Sequence, residues 1–285
     1  MSIFNKLDEY KYWRDEKLEM AVTSVDDCVV PIVDPFNLSH NEKEKLTELC
    51  TRNNFALFQL QKQESYVDAF FKINRQLGLT NYDKHLYSQD SGIAKITQTN
   101  NQEQAEFIPY TNRRIGWHTD GYYNPPEQSI RSFVLLCINK AASGGKSTWI
   151  DHQILYILLR ENNPEAAHAL THARAMTIPE HITNGVIRRQ KSAGPIFFID
   201  EKSGQLSMRY TQRKKNVQFL NSVEIKQAIE VLDNLLATNS KYHFKLLLTP
   251  SQGIICNNVI HKREDFIDDP AVPRLLLRGR YFDRV

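Results

Sequence analysis

His118 and Asp120 stand two residues apart in the stretch Arg114-Ile-Gly-Trp-His-Thr-Asp-Gly-Tyr-Tyr123. On a strand, residues i and i+2 project from one face, so the imidazole and the carboxylate would converge while Trp117 and Thr119 face the other way. Such a dyad is either part of a metal site or a polar turn between strands, and a third ligand decides between them. His261 is placed to be that ligand, because it follows the apolar run Ile254-Ile-Cys256 and a tight Asn257-Asn258 step. Two imidazoles and one carboxylate on one face make the facial triad of a non-haem Fe(II) oxygenase, which leaves coordination positions for a cosubstrate and O2. The other histidines carry less. His168 and His172 have i, i+4 spacing, but no Glu completes an HExxH pattern. His40, His85, His152, His181 and His243 occupy polar or helix-start contexts.

Iron of this kind needs electrons, commonly from a 2-oxo acid that chelates the metal and presents a distal carboxylate to a cation. Arg274-Leu-Leu-Leu-Arg-Gly-Arg280 offers the cation. Alternation along a strand puts Arg274, Arg278 and Arg280 on one face, and a planar guanidinium binds a carboxylate through two parallel hydrogen bonds. The competing reading is a cationic outer strand face. Arg278, Arg280 and Arg131 could also receive an anionic group of a substrate, or form internal salt bridges instead. Tyr122 and Tyr123, just after Asp120, either line a pocket or pack on the wall of the fold.

These residues need elements to position them. Residues 4–19, 41–50 and 64–77 have apolar side chains at helical spacing, and Phe55-Ala-Leu-Phe-Gln-Leu60 reads as a strand between two of them. From about residue 93 short β-type runs follow, punctuated by Gly, Pro and Asn: 92–97, 132–138, 195–199, 206–210, 242–248, 254–256 and 274–282. Asp200-Glu-Lys-Ser-Gly204 is expected to join two of these as a hairpin, with helices inserted at 151–162 and 222–237. The stretches Ser88 to Tyr110 and Thr183 to Gly194 lack periodicity and are expected to be a lid or surface loops. The fold class is α+β: an all-β core, most simply a jelly roll, with flanking and inserted helices. We expect a single domain over 1–285, helix-rich over about 1–90 and jelly-roll from about 91 to 285.

Composition sets bounds on all of this. Of the 285 residues 41% are hydrophobic and 24% charged, the mix of an ordinary folded protein with a sizeable core. Neither a signal peptide nor a membrane span is apparent, so a cytoplasmic location is expected. Cys28, Cys50, Cys137 and Cys256 lie in or beside apolar runs without CxxC spacing, which suggests reduced, buried thiols. With a net charge of +3 and only short basic clusters, Arg188-Arg-Gln-Lys191 and Arg213-Lys-Lys215, solvated faces are expected and nucleic acid is not a partner.

WHTDG at 117–121, Gly144-Gly-Lys-Ser-Thr-Trp149, His261 and the Arg274/Arg278 pair together resemble, in order and spacing, the taurine dioxygenase (TauD/TfdA) family of Fe(II)/2-oxoglutarate-dependent oxygenases. The likeness runs from about residue 110 to the C-terminus. His261, Arg263 and Phe266 are also similar to the HxRxxF pattern of the clavaminate synthase-like branch. The resemblance implies a double-stranded β-helix, with Fe(II) on His118, Asp120 and His261. It further implies that Ser147 hydrogen-bonds 2-oxoglutarate and that Arg274 clamps its C5 carboxylate, with Arg278 beside the substrate or supporting the clamp. Cys256-Asn-Asn258 departs from the more usual Asp-Asn-Arg arrangement. Because Asp120 is present, a halogenase is disfavoured, since those sites lack the carboxylate. The implied reaction is hydroxylation of a small, anionic or amino-acid-like metabolite with release of succinate and CO2. Desaturation, cyclisation or oxidative decarboxylation on the same machinery, and a non-catalytic sensor, are the alternatives. The partner is a small-molecule substrate, with no membrane, and the sequence leaves room for a homo-oligomer.

Overall fold

The computed structural model describes residues 3–84, 92–105, 107–183 and 185–285, so His85 and part of the expected loop at Ser88 to Tyr110 lie outside the described residues. By contacts the chain divides into two compact units, one made of 22–115, 130–149 and 244–285, the other of 1–21, 116–129 and 150–243.

The first unit is built on a sheet of order Val29–Ile32, Phe55–Leu60, Gln252–Cys256, Ser132–Asn139, Leu275–Tyr281 and Ile93–Ile96. The first pair is parallel and the others are antiparallel. Helices His40–Asn53 and Tyr66–Gln76 bury Leu46, Leu49, Phe70 and Ile73 in the same core as Phe55, Leu57, Val134 and Ile255. The first helix starts where the chain supplies a reciprocal cap: the Glu42 amide donates to the Ser39 hydroxyl, and the Glu42 carboxylate accepts from the Ser39 amide at 2.7 Å. It ends at Asn54, whose φ of 62° is the left-handed stop that asparagine tolerates. Gly253 lies opposite Phe58 in the neighbouring strand and leaves room for its ring, because a Cβ there would run into it.

A second sheet has the order Phe244–Leu246, Ser147–Ile150, Ile260–Arg263 and Ile115–His118. Phe55 of the large sheet meets Trp149 edge-on at 5.4 Å and Phe244 at 5.1 Å, so aromatic side chains fill the layer between the sheets.

The other unit carries the helices Leu7–Glu19, His152–Asn162, Pro164–Ala169 and Val223–Ala237, together with short strands between 176 and 219. Asp151 caps the second of these through the Gln153 amide at 2.8 Å and pairs with Lys17 at 2.7 Å, both side chains being about 5% exposed. The expected hairpin is present: Phe197–Ile199 pairs with Leu206–Met208, and Asp200 holds the turn through the Ser203 amide and hydroxyl.

One expectation is corrected. The described residues of 183–194 are largely strand rather than loop: His181–Thr183 pairs with Val186–Arg189, and Ser192–Gly194 pairs with Met176–Ile178. Alternation does not show there because Ile182, Val186 and Ile187 are all exposed, so this hairpin lacks the buried face that periodicity reports. Among the described residues, no helix is long and apolar enough to cross a membrane.

Candidate metal centre

His118 is the last residue of Ile115–His118, and His261 lies within Ile260–Arg263. One ligand atom from each of His118, Asp120 and His261 lies within 4.8 Å of the other two. The imidazole and the carboxylate converge as expected, although the strand ends at His118 and Asp120 lies in the turn that follows it. Trp117 points away from His118 and packs edge-on against His243 at 5.8 Å, while the Thr119 hydroxyl accepts from the Tyr210 amide at 3.1 Å.

Both imidazoles are oriented by the same device. His118 Nδ1 lies 2.9 Å from the Gly116 carbonyl, and His261 Nδ1 lies 2.9 Å from the Val259 carbonyl. A carbonyl oxygen only accepts, so Nδ1 carries the proton in each ring and Nε2 keeps its lone pair, the tautomer a metal ligand requires. Phe133 covers the His261 ring at 4.7 Å. Asp120 is buried at 7% exposure, a poor place for a carboxylate unless a cation shares it. This donor set fits a divalent iron, with nitrogen and carboxylate oxygen on one side only.

The Asn257-Asn258 step is a built turn. Asn257 donates through Nδ2 to the carbonyls of Cys50 and Val285, and its Oδ1 accepts from the Val285 amide. Asn258 takes a φ of 49° and donates to the Ile130 carbonyl at 2.7 Å. These two side chains hold the turn that delivers His261.

Arg263 and Arg274 stand on Phe266, with guanidinium carbons 4.9 and 5.0 Å from the ring centre. Arg263 donates to the carbonyls of Thr111 at 2.9 Å and Arg113 at 2.5 Å, and so anchors the segment entering the His118 strand. Burial, and then the charge of Arg274, lower its pKa to about 9. Arg274 is 5% exposed and its amide donates to Asp268 at 2.6 Å, yet its guanidinium has no hydrogen-bond acceptor among the described residues. Burial lowers its pKa as well. A buried cation whose fork is unmatched by protein is a site for a carboxylate. The Gly144-Gly145 turn adjoins it: Gly145 has a φ of +73°, and a Cβ there would lie 3.8 Å from Arg274 Nε. Ser147, half-buried, begins the strand Ser147–Ile150.

The remaining predicted residues divide. Arg280 does not share an open cationic face with Arg274, because it is ion-paired with Asp83, as the salt-bridge alternative anticipated. Arg278 is half-buried on Leu275–Tyr281, between Ala94 and Leu135 of the neighbouring strands. Arg131 is buried and donates to the Phe282 carbonyl at 3.2 Å. Tyr122 accepts from Arg213 at 3.3 Å and meets Tyr123 edge-on at 5.4 Å. The Arg213 contact was not foreseen, since 213–215 reads as a solvated basic run.

Residues 17–280 match the family described as taurine catabolism dioxygenase TauD, TfdA family. A uridine-5'-phosphate dioxygenase from a Streptomyces species is 28% identical over 196 residues, 66% of this chain and 68% of the relative. Among solved structures, an asparagine oxygenase in complex with Fe(II), 3-hydroxyasparagine and succinate superposes with a TM-score of 0.64 at 12% identity, over 97% of this chain and 92% of that one. The non-heme iron oxygenase OrfP, in complex with Fe and alpha-ketoglutaric acid, gives the same TM-score of 0.64 at 12% identity, over 97% and 92% of the two chains.

Proposed function

Since the chain belongs to the TauD/TfdA family, we propose that His118, Asp120 and His261 hold its iron and that Arg274 and Ser147 hold its 2-oxoglutarate. The protein is a non-haem Fe(II)- and 2-oxoglutarate-dependent dioxygenase. Its helices and sheets together form one domain with a double-stranded β-helix core, a reading supported by the single family match over 17–280 and by the aromatic layer between the sheets.

The observation that carries the ligand assignment is the pair of histidines fixed alike through Nδ1 beside a buried carboxylate. When bound, the metal and 2-oxoglutarate supply the oxidant that acts on a substrate C–H bond, with succinate and CO2 released. The chain supplies position and dryness. Gly116 and Val259 carbonyls keep the two rings from turning. Arg274, seated on Phe266, presents its guanidinium to the distal carboxylate, and the Ser147 hydroxyl adds a hydrogen bond. Phe133 excludes water from the His261 side.

The primary substrate is a small anionic metabolite, and hydroxylation is the outcome. The relative named for uridine 5'-phosphate supports an anionic substrate. Tyr122, Arg131 and Arg278 are assigned to its surroundings.

The test is anaerobic addition of Fe(II) and 2-oxoglutarate, which should give the weak visible charge-transfer band of the chelate. Asp120→Ala should abolish the band. Arg274→Ala should weaken 2-oxoglutarate binding by roughly 2–5 kcal/mol, the usual result of removing one partner of a buried charge pair. No band in the wild-type protein, or an undiminished band in both variants, would sink the assignment.

A further inference from the structure

The segment that pairs with the His118 strand carries arginines without carboxylate partners. His118 bridges Thr211 in antiparallel fashion, the Thr119 amide donates to the Tyr210 carbonyl at 3.0 Å, and the Gln212 amide donates to the Trp117 carbonyl at 2.9 Å. Directly opposed residues of an antiparallel pair share a face, so Thr211 lies on the face of His118, and alternation puts Arg209 and Arg213 on that face too. The opposite face is accounted for: the Tyr210 hydroxyl at 2.6 Å and the Gln212 amide at 2.8 Å both donate to Asp233.

On the His118 face the Arg213 guanidinium donates to the Tyr122 hydroxyl at 3.3 Å, two residues beyond Asp120. Arg189 sits over the Tyr123 ring at 5.5 Å, with its Nε buried and lacking an acceptor. Arg209, 3% exposed, donates to the Ser192 carbonyl and hydroxyl at 3.3 and 3.1 Å. Burial, and then the charge of Arg189, lower its pKa to about 10, while Arg189 in turn feels Arg213. Among the described residues none of the three has an Asp or Glu within ion-pair distance. Like charges gathered in this way favour an anion of more than one negative charge. A phosphate monoester carries close to two charges and three acceptor oxygens, which several guanidinium groups and a tyrosine hydroxyl can share.

We infer that Arg189, Arg213 and Tyr122 bind the phosphate group of a phosphate-monoester substrate, with Arg209 as a positioning residue beneath Ser192. This deepens the reading of the metal centre and rests on it for the claim that the ligand is the substrate. Tyr122 lies in the turn that follows Asp120, so a phosphate held there would orient the remainder of the molecule beside the metal ligands.

Calorimetric titration of metal-free protein with uridine 5'-phosphate, ribose 5-phosphate, their dephosphorylated counterparts and inorganic phosphate tests this directly. At least one ester should bind tighter than its counterpart and than inorganic phosphate by about tenfold or more. Arg213→Gln and Arg189→Gln should each remove most of that preference while leaving the anaerobic Fe(II)/2-oxoglutarate band and the thermal midpoint unchanged. Equal binding of esters and dephosphorylated compounds would overturn the inference. So would inorganic phosphate binding as tightly as both esters, or variants that weaken charged and uncharged ligands alike. If the band is missing but the arginine-dependent preference for an ester is present, the metal assignment fails while the anion site stands.

Discussion

Arg274 is buried against Phe266, and if it clamps the 2-oxoglutarate carboxylate as proposed, arginine and lysine should not be equivalent there. We expect Arg274→Lys to keep the charge but lose the two-pronged match, raising KM for 2-oxoglutarate by about tenfold with Fe(II) affinity unchanged. Steady-state kinetics at varied cosubstrate, with a metal titration alongside, checks it; a parallel loss of iron would mean that Arg274 supports the ligands instead. Gly145→Ala provides a second probe. Its φ of +73° and the closeness of Phe266 and Arg274 should make alanine destabilising by about 1 kcal/mol, read from a denaturant midpoint, with a rise in the same KM. At this scale the clustering of His118, Asp120 and His261 was legible because it is carried by residue type and spacing: HxD at a strand end, then a histidine after an apolar run. Arg209 and Arg213 were not. Their meaning comes from the pairing of Thr211 with His118, a contact between segments about ninety residues apart that local pattern does not report.

The helix His40–Asn53 shows what an element adds. Ser39→Ala removes half of the reciprocal cap and should destabilise the protein by about 1 kcal/mol, measured by denaturant unfolding. The Glu42 carboxyl is held below the usual carboxylate range: burial opposes this, but the Ser39 hydroxyl and the amides of Val33 and Ser39 outweigh it. A depressed folded pKa stabilises above the unfolded value near ~4.3 and is lost as pH falls through the folded value. Glu42→Gln should therefore cost stability at neutral pH and flatten that part of the acid-side decline, and unchanged curvature below about pH 4 would contradict the account. Elements of this kind were readable. The apolar spacing over 41–50 marks the helix, and Asp200 to Gly204 marks a turn, because helical spacing and turn chemistry are local. The His181–Arg189 hairpin was missed for the converse reason. Its apolar residues face solvent, so no buried face imposes a period of two.

At the scale of the whole molecule, the thiols report how the fold opens. Cys28, Cys50, Cys137 and Cys256 are all buried and outside any disulfide, as their apolar neighbours in the sequence suggested. Burial is the main cause that pushes Cys28 and Cys50 up to about 12 and Cys137 up to about 11. The thiolate is the nucleophile, so at pH 8 the native protein should resist iodoacetamide and label only through opening. All four positions belong to the unit that carries the large sheet, and Cys28, Cys50 and Cys256 share one core with Phe55, Leu57 and Ile255. If that core opens cooperatively, these three thiols should label with one rate constant, set by the equilibrium between closed and open forms. Ser39→Ala, less stable by about 1 kcal/mol, should then raise that shared rate roughly fivefold. Mass spectrometry of quenched samples separates the outcomes. A common rate that tracks stability identifies a single cooperative body, whereas Cys28 labelling ahead of Cys256 and untouched by the capping variant would show that the strand Val29–Ile32 opens from the edge of the sheet by itself.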